Sequence, residues 1–191
     1  NEGPASTRVT PEQFAVHLDY INTHGYTVVP LMTLLEGIYG GGVLPEKPVA
    51  ITFDDGYRSI AETAYPLLAQ YNMPFSVFVA TESIDQGSPH YIDWPTLKTL
   101  TRDPRVTVGS HSLSHQHLEN LPVGNSKQPE KGTRAREMAE SQQRLHRELG
   151  AAHIKVFAYP FGEYSLETEV LSQNIFAFAL AQQSGAVGPS T

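Results

Sequence analysis

The sequence contains no cysteine. That excludes disulfide frameworks, zinc knuckles and thiol catalysis, and it leaves any metal to His and carboxylate side chains. No run of 18 apolar residues occurs, so no membrane-spanning helix is expected. Positive charge is scarce: 13 Lys and Arg stand against 20 Asp and Glu, a net charge of −7 with His neutral. A nucleic-acid groove draws much of its affinity from cationic contacts to phosphate, so nucleic acid is not an expected partner. An anionic membrane surface is disfavoured for the same reason. Charged residues reach 17% against 40% hydrophobic, which excludes disorder as the dominant state. What is present is 191 residues, enough to bury a core without covalent help, and eight His. No interdomain linker, internal repeat or low-complexity tract breaks the chain, so a single domain is expected over 1–191. The opening Asn1-Glu2-Gly3-Pro4 does not read as a signal peptide.

The hydrophobic periodicity alternates between strand and helix. Thr10-Pro11-Glu12-Gln13 is a capping box with Pro at the first helical position, and Phe14, Leu18 and Ile21 recur at helical spacing up to Gly25. Strands are expected at Tyr26–Val29, Val49–Phe53, Phe75–Ala80, Val106–Ser110, Ile154–Tyr159 and, weakly, Phe176–Leu180. Between them fall helices carrying Leu34, Leu35 and Ile38, then Ile60 to Tyr71, then Trp94, Leu97 and Leu100. Ala135–Leu149 and a segment from about Leu166 complete the set. Residues Pro122–Thr133 read as a loop. Repeated β-α units imply an α/β fold with a mostly parallel sheet, open or closed into a barrel. The termini carry less strand than a closed barrel needs.

The polar residues fall at three strand ends. Asp54-Asp55 follows one strand, His111-Ser-Leu-Ser-His115 another, and Tyr159-Pro160-Phe161-Gly162 a third. Ligands of parallel α/β folds sit at the carboxyl ends of the strands, so these segments should converge on one face. Asp neighbours on an extended strand point apart, but Gly56 lets the backbone turn so that both can face a pocket. Two carboxylates so close favour a cation between them. The plain alternative is a helix-capping Asp beside a solvated neighbour. His111 and His115 are four apart, the spacing that puts two rings on one face of a helical turn. The plain alternative is a His-rich surface loop, to which His117 also belongs. Two His and one Asp make a facial set for one divalent transition metal; zinc, iron, cobalt and nickel all fit. In the third segment Pro160 fixes φ and Gly162 gives freedom, so the Phe161 N–H can be aimed at an oxyanion; a simple turn is the alternative.

Thr52-Phe53-Asp54-Asp55-Gly56, then His111-Ser-Leu-Ser-His115, then Tyr159-Pro160-Phe161-Gly162, in this order, resemble the NodB-homology polysaccharide deacetylases, carbohydrate esterase family 4. The resemblance spans roughly residues 49 to 185. Within the family, Val9-Thr10-Pro11-Glu12-Gln13-Phe14, the run at 157–164 and Gln182-Gln183-Ser184-Gly185 are most similar to the biofilm poly-β-1,6-N-acetylglucosamine deacetylases. The resemblance implies a deformed (β/α)7 barrel, incomplete here at the termini. It implies Asp54 as general base, Asp55, His111 and His115 as ligands of one divalent metal, and the Phe161 N–H as an oxyanion donor. The partner it implies is an N-acetylated polysaccharide, the compartment is extracytoplasmic, and an additional domain or export machinery outside this chain is compatible with it. Two departures stand out. Lys155 is out of register with the Arg that often precedes the third motif. No Leu-x-His motif follows, and the general acid is expected from a strand ahead of Asn1. Tyr57, Tyr91, Trp94, Tyr159 and Tyr164 fall near the site loops, where aromatic rings stack on sugars; core packing is the plain alternative for each. The rival readings are a deacetylase of chitin oligomers, peptidoglycan or acetylated xylan, and a glycan-binding module that retains its metal. A metalloprotease is disfavoured by the lack of HExxH.

Overall fold

A computed structural model describes residues 9–150, 155–183, 185 and 188. In chain order the elements are α1 (Pro11–Thr23), β1 (Thr27–Val28), α2 (Leu31–Gly40), β2 (Pro48–Val49), β3 (Thr52–Phe53), α3 (Tyr65–Gln70) and β4 (Phe75–Val79). They continue as α4 (Thr81–Asp85), α5 (Trp94–Leu100), β5 (Val106–Ser110), α6 (Arg134–Leu149), β6 (Val156–Ala158), α7 (Leu166–Gln173) and β7 (Phe178–Leu180). Ile154, the expected start of the fifth strand, and Ser184 in the carboxyl-terminal run lie outside the described residues.

Local chemistry sets the element ends. The α1 capping box forms as written in the sequence: Gln13 N–H donates to Thr10 Oγ1 at 3.2 Å and Thr10 N–H to Gln13 Oε1 at 3.1 Å. The expected helix from Ile60 to Tyr71 instead opens as a π-helical turn over Ile60–Ala64 before α3. The reason is Pro66, which lacks an N–H and crowds the carbonyl of residue 62, so α-helical pairing cannot run through that point. The short helix α4 carries no clear periodicity and was not expected.

Strands β3-β4-β5-β6-β7 form one all-parallel sheet in sequence order, and β1-β2 form a parallel pair. The single strand expected at Val49–Phe53 is divided between the two. Val28 pairs with Val49, whereas Phe53 pairs with Val77. The Ile51 carbonyl between them accepts from Ser76 N–H at 2.9 Å. One run of chain therefore joins both ladders, and the result is a parallel half-barrel with flanking helices, the deformed-barrel form. Among the described residues no ladder joins β7 to β1.

Strand β4 is buried along its whole length, as a parallel strand covered on both faces must be. Phe75, Val77 and Val79 join the large core with Leu18, Leu68, Leu97, Met138, Leu145 and Phe157. Phe78 points the other way, into a smaller cluster with Leu31 and Leu35 of α2, Val156 and Ala158. Helix α2 thus covers the face of the sheet opposite the large core.

Candidate active site

The carboxyl ends of β3, β5 and β6 bring the three segments together. Asp55 adopts φ 67, and Gly56 N–H closes a tight turn onto the Asp54 carbonyl at 2.9 Å. A Cβ on Gly56 would stand 2.8 Å from Val79 Cγ1, so only glycine lets this turn lie against β4. The His segment is not helical, contrary to the spacing argument: Ser112 and His115 take φ 68 and 55, and the two rings meet across a turn. Four of the six non-glycine residues with positive φ among the described residues, Asp55, Ser112, His115 and Phe161, lie here. Such backbone persists only where its surroundings over-determine it, which is typical of functional sites.

His115 Nε2 lies 3.2 Å from Asp55 Oδ1 and 3.2 Å from His111 Nε2, and His111 Nε2 lies 3.5 Å from Asp55 Oδ1. Metal–ligand bonds of about 2.0–2.2 Å at roughly 90–109° hold donors about 2.8–3.6 Å apart, so this triangle has the size a single ion requires. The tautomer agrees. His111 is buried, and its Nδ1–H donates to the Ala158 carbonyl at 2.8 Å, which leaves the Nε2 lone pair facing Asp55. The residues present fit one divalent metal.

Asp54 does not join the triangle. It lines a cavity of about 170 Å³ with Thr52, Phe78, Ala158, Leu180 and Gln182. Burial pushes its carboxyl pKa up and Asp55 pushes the same way, against the pull of His111, His115 and a Gln182 hydrogen bond. The His115 pKa is lowered, first by burial and then by His111. Gln182 Nε2 donates to Asp54 Oδ2 at 3.5 Å. Sequence reasoning gave Gln182 no such role, because the contact closes a span of 128 residues.

The Phe161 backbone sits at φ 61, ψ 5. The hydrogen bonds of its turn run from Gly162 N–H to the Tyr159 carbonyl and from Glu163 N–H to the Pro160 carbonyl, and neither uses the Phe161 N–H. The Phe161 ring stacks on His117 at 3.8 Å and stands 4.7 Å from the His115 ring, so the turn is beside the triangle. His117 in turn holds Glu163 at 2.8 Å.

The aromatic candidates separate. Tyr57 stacks on Tyr91 at 5.3 Å, brought there by backbone pairing of 56–58 with 90–92. Burial and then Asp55 raise its phenol pKa. Tyr164 is exposed and stacks on Tyr159. Tyr159 is 4% exposed and its hydroxyl is bonded to Ser172 Oγ at 2.7 Å, which ties the phenol to α7, while the residue also lines the Asp54 cavity. Trp94 donates its Nε1–H to Asp85, and Arg144 lies over its ring at 4.8 Å, which fixes it in the α4–α5–α6 junction.

A further residue was missed. Glu137 of α6 is buried, and its carboxyl oxygens accept from Ser114 N–H at 2.8 Å and Ser114 Oγ–H at 2.9 Å. The signal was an acidic residue on the stripe of α6 that also carries Met138, Ser141 and Leu145, all buried.

A family profile described as polysaccharide deacetylase matches residues 41–177. The YxkH protein of Bacillus subtilis strain 168 is 30% identical over 164 residues, 85% of this chain and 54% of its own length. The poly-β-1,6-N-acetyl-D-glucosamine N-deacetylase of Staphylococcus aureus is 26% identical over 159 residues, 81% of this chain and 53% of its own length. The chain thus spans about half the length of the curated relatives it matches. Among solved structures, the Streptococcus pyogenes deacetylase PplD superposes with a TM-score of 0.83 at 19% identity, over 100% of this chain and 82% of its own. IcaB from Ammonifex degensii gives 0.74 at 26% identity, over 91% of this chain and 76% of its own. The profile covers the strands that carry all three segments, and the segments meet where such a fold keeps its chemistry: the chain belongs to the polysaccharide deacetylase family, of the NodB type.

Proposed function

We propose that this chain is a metal-dependent hydrolase that removes N-acetyl groups from an N-acetylglucosamine polymer, the β-1,6-linked polymer of biofilm matrix. The observation that carries the reading is the meeting of three metal donors, Asp55, His111 and His115, with a separate carboxyl group, Asp54, at one set of strand ends. The choice of polymer is supported by the S. aureus relative and by the likeness to IcaB. Polymers of this kind are modified outside the cytoplasm, so the reading assigns an extracytoplasmic compartment. Residues 1–191 act in it as one deacetylase domain.

Asp55, His111 and His115 would hold one divalent ion, with zinc the first choice and cobalt, nickel or iron the alternatives. Such an ion lowers the pKa of a bound water and polarises a carbonyl oxygen. Asp54 takes the proton of the attacking water. The Phe161 N–H donates to the oxygen that gains charge as the amide carbon becomes tetrahedral. As the C–N bond breaks, acetate leaves and the nitrogen takes up a proton to become a free amine. Tyr57 and Tyr164 offer ring faces to the flanking sugars.

The test is acetate release from a β-1,6-linked N-acetylglucosamine oligomer by chelator-stripped protein reloaded with zinc, cobalt or nickel. Release that needs metal and is lost in Asp54→Asn is the expected result. Metal-dependent release from chitin oligomer, peptidoglycan or acetylated xylan instead would overturn the choice of polymer and keep the chemistry. No release from any of them would overturn the enzyme reading.

A further inference from the structure

The loop from His111 to His115 holds two of the three metal donors, yet its backbone is unfavourable in isolation. Ser112 and His115 both sit in the left-handed region without being glycine. Two kinds of contact hold it. On one side the first N–H groups of α4 donate to it, Thr81 to the Ser112 carbonyl at 3.3 Å and Glu82 to the Leu113 carbonyl at 2.8 Å. These are backbone groups and survive substitution. On the other side stands the Glu137 side chain, 4% exposed, from a 16-residue helix distant in sequence.

Glu137 grips one residue of the loop with both oxygens. Oε2 accepts from Ser114 N–H at 2.8 Å and Oε1 from Ser114 Oγ–H at 2.9 Å. Ser114 Oγ also accepts from Gln116 Nε2 at 2.8 Å, so the hydroxyl has its donor role committed to Glu137. The peptide N–H held in this way immediately precedes His115, whose own N–H is held by Ser112 Oγ at 3.0 Å. Two consecutive N–H groups are thereby fixed, one by the loop itself and one by α6. Among the described residues Ser114 is the hydrogen-bond partner of the Glu137 side chain, and a buried carboxyl group so placed is costly unless that loop keeps its shape.

We propose that Glu137 is a positioning residue for the metal centre: it locks Ser114, and through it sets the His115 imidazole against His111 and Asp55. The inference rests on the metal-binding part of the proposed function. It makes the affinity for metal depend on a side chain in α6 whose hydrogen bonds among the described residues go to Ser114 and not to the three ligands. Residues that orient metal ligands commonly change affinity by about 10–100-fold when removed.

The experiment measures zinc affinity by chelator competition and the cobalt absorption spectrum for wild type, Glu137→Met, Glu137→Gln and Ser114→Ala. Melting of the metal-free proteins is followed in parallel. Glu137→Met keeps volume and removes both acceptors; a loss of affinity of about tenfold or more, with an altered cobalt spectrum in a protein that is still folded, is expected. Glu137→Gln retains one acceptor for Ser114 N–H and should recover most of that loss. Ser114→Ala should show a smaller loss. Lower melting temperatures with unchanged affinity and spectrum would make Glu137 merely structural and overturn the inference. If Glu137→Met does not fold, Glu137→Gln and Ser114→Ala decide alone: unchanged affinity in both overturns it. Wild type that binds no metal overturns the proposed metal centre and this inference with it, whereas tight wild-type binding with unaffected variants overturns only the inference.

Discussion

Gly162 joins the Phe161 turn to the chain just after β7, and replacing it with Ala puts a number on that join. The residue has φ 70, and a Cβ there would lie 2.6 Å from Gln182 Cβ and 2.7 Å from Gln182 N. The second of these atoms is backbone and cannot step aside by changing rotamer. Two costs add: about 1–2 kcal/mol for a side chain in the left-handed region, and about 1–3 kcal/mol for forced overpacking. A domain of this size loses roughly 2–4 °C of melting temperature per kcal/mol, so the fall should be about 4–20 °C. Gly25→Ala isolates the first cost, because Gly25 has φ 75 and nothing within 4 Å of the added methyl. Thermal melts of the two variants, followed by circular dichroism, should place Gly162→Ala at least about 2 °C below Gly25→Ala. Activity should separate them further. Gln182 holds Asp54 and the turn carries the Phe161 N–H, so Gly162→Ala should lose acetate release while Gly25→Ala keeps it. Equal melting temperatures would refute the packing argument, and full activity in Gly162→Ala would refute the link between this contact and the site.

Thr81 is fully buried and its Oγ1 has no hydrogen-bond partner among the described residues, so Thr81→Val should raise the melting temperature, by roughly 2–4 °C for a gain of about 1 kcal/mol; a fall would mean that the hydroxyl is satisfied in solution. Asp103 is held by hydrogen bonds from the Arg105 guanidinium, and also accepts from Tyr65 Oη–H at 3.0 Å, which together keep its pKa well below the usual carboxylate range. A depressed pKa contributes stability above the unfolded value of about 3.9 that is lost as pH falls through the folded one, so urea melts of wild type and Asp103→Asn should differ most near neutrality and converge under acid. A gap that does not change from pH 7 down to about 2 would contradict that assignment.

The parts of the site that could be read from sequence are those carried by local pattern. Asp54-Asp55-Gly56 and the two His declare themselves because a polar run follows a buried strand, and parallel strands send their ends to one face. The capping box of α1 is equally local. What escaped depends on long-range contact. Gln182 meets Asp54 across 128 residues, and Glu137 meets Ser114 across 23. The partners of two aromatic candidates were hidden in the same way: Ser172 bonds the Tyr159 hydroxyl, and Arg144 lies over the Trp94 ring. The non-helical His turn shows the limit of spacing: an interval of four brings rings together on a helix, and here left-handed residues do the same across a loop.

The central claim is that Asp55, His111 and His115 form one metal centre. The most direct test is a zinc titration of chelator-stripped protein by calorimetry, beside His111→Ala and Asp55→Ala shown to be folded by circular dichroism. A single equivalent bound by the wild type, with tight binding lost in both variants, is the expected result. Wild type that takes up no zinc, cobalt or nickel, or variants that bind as the wild type does, would contradict it.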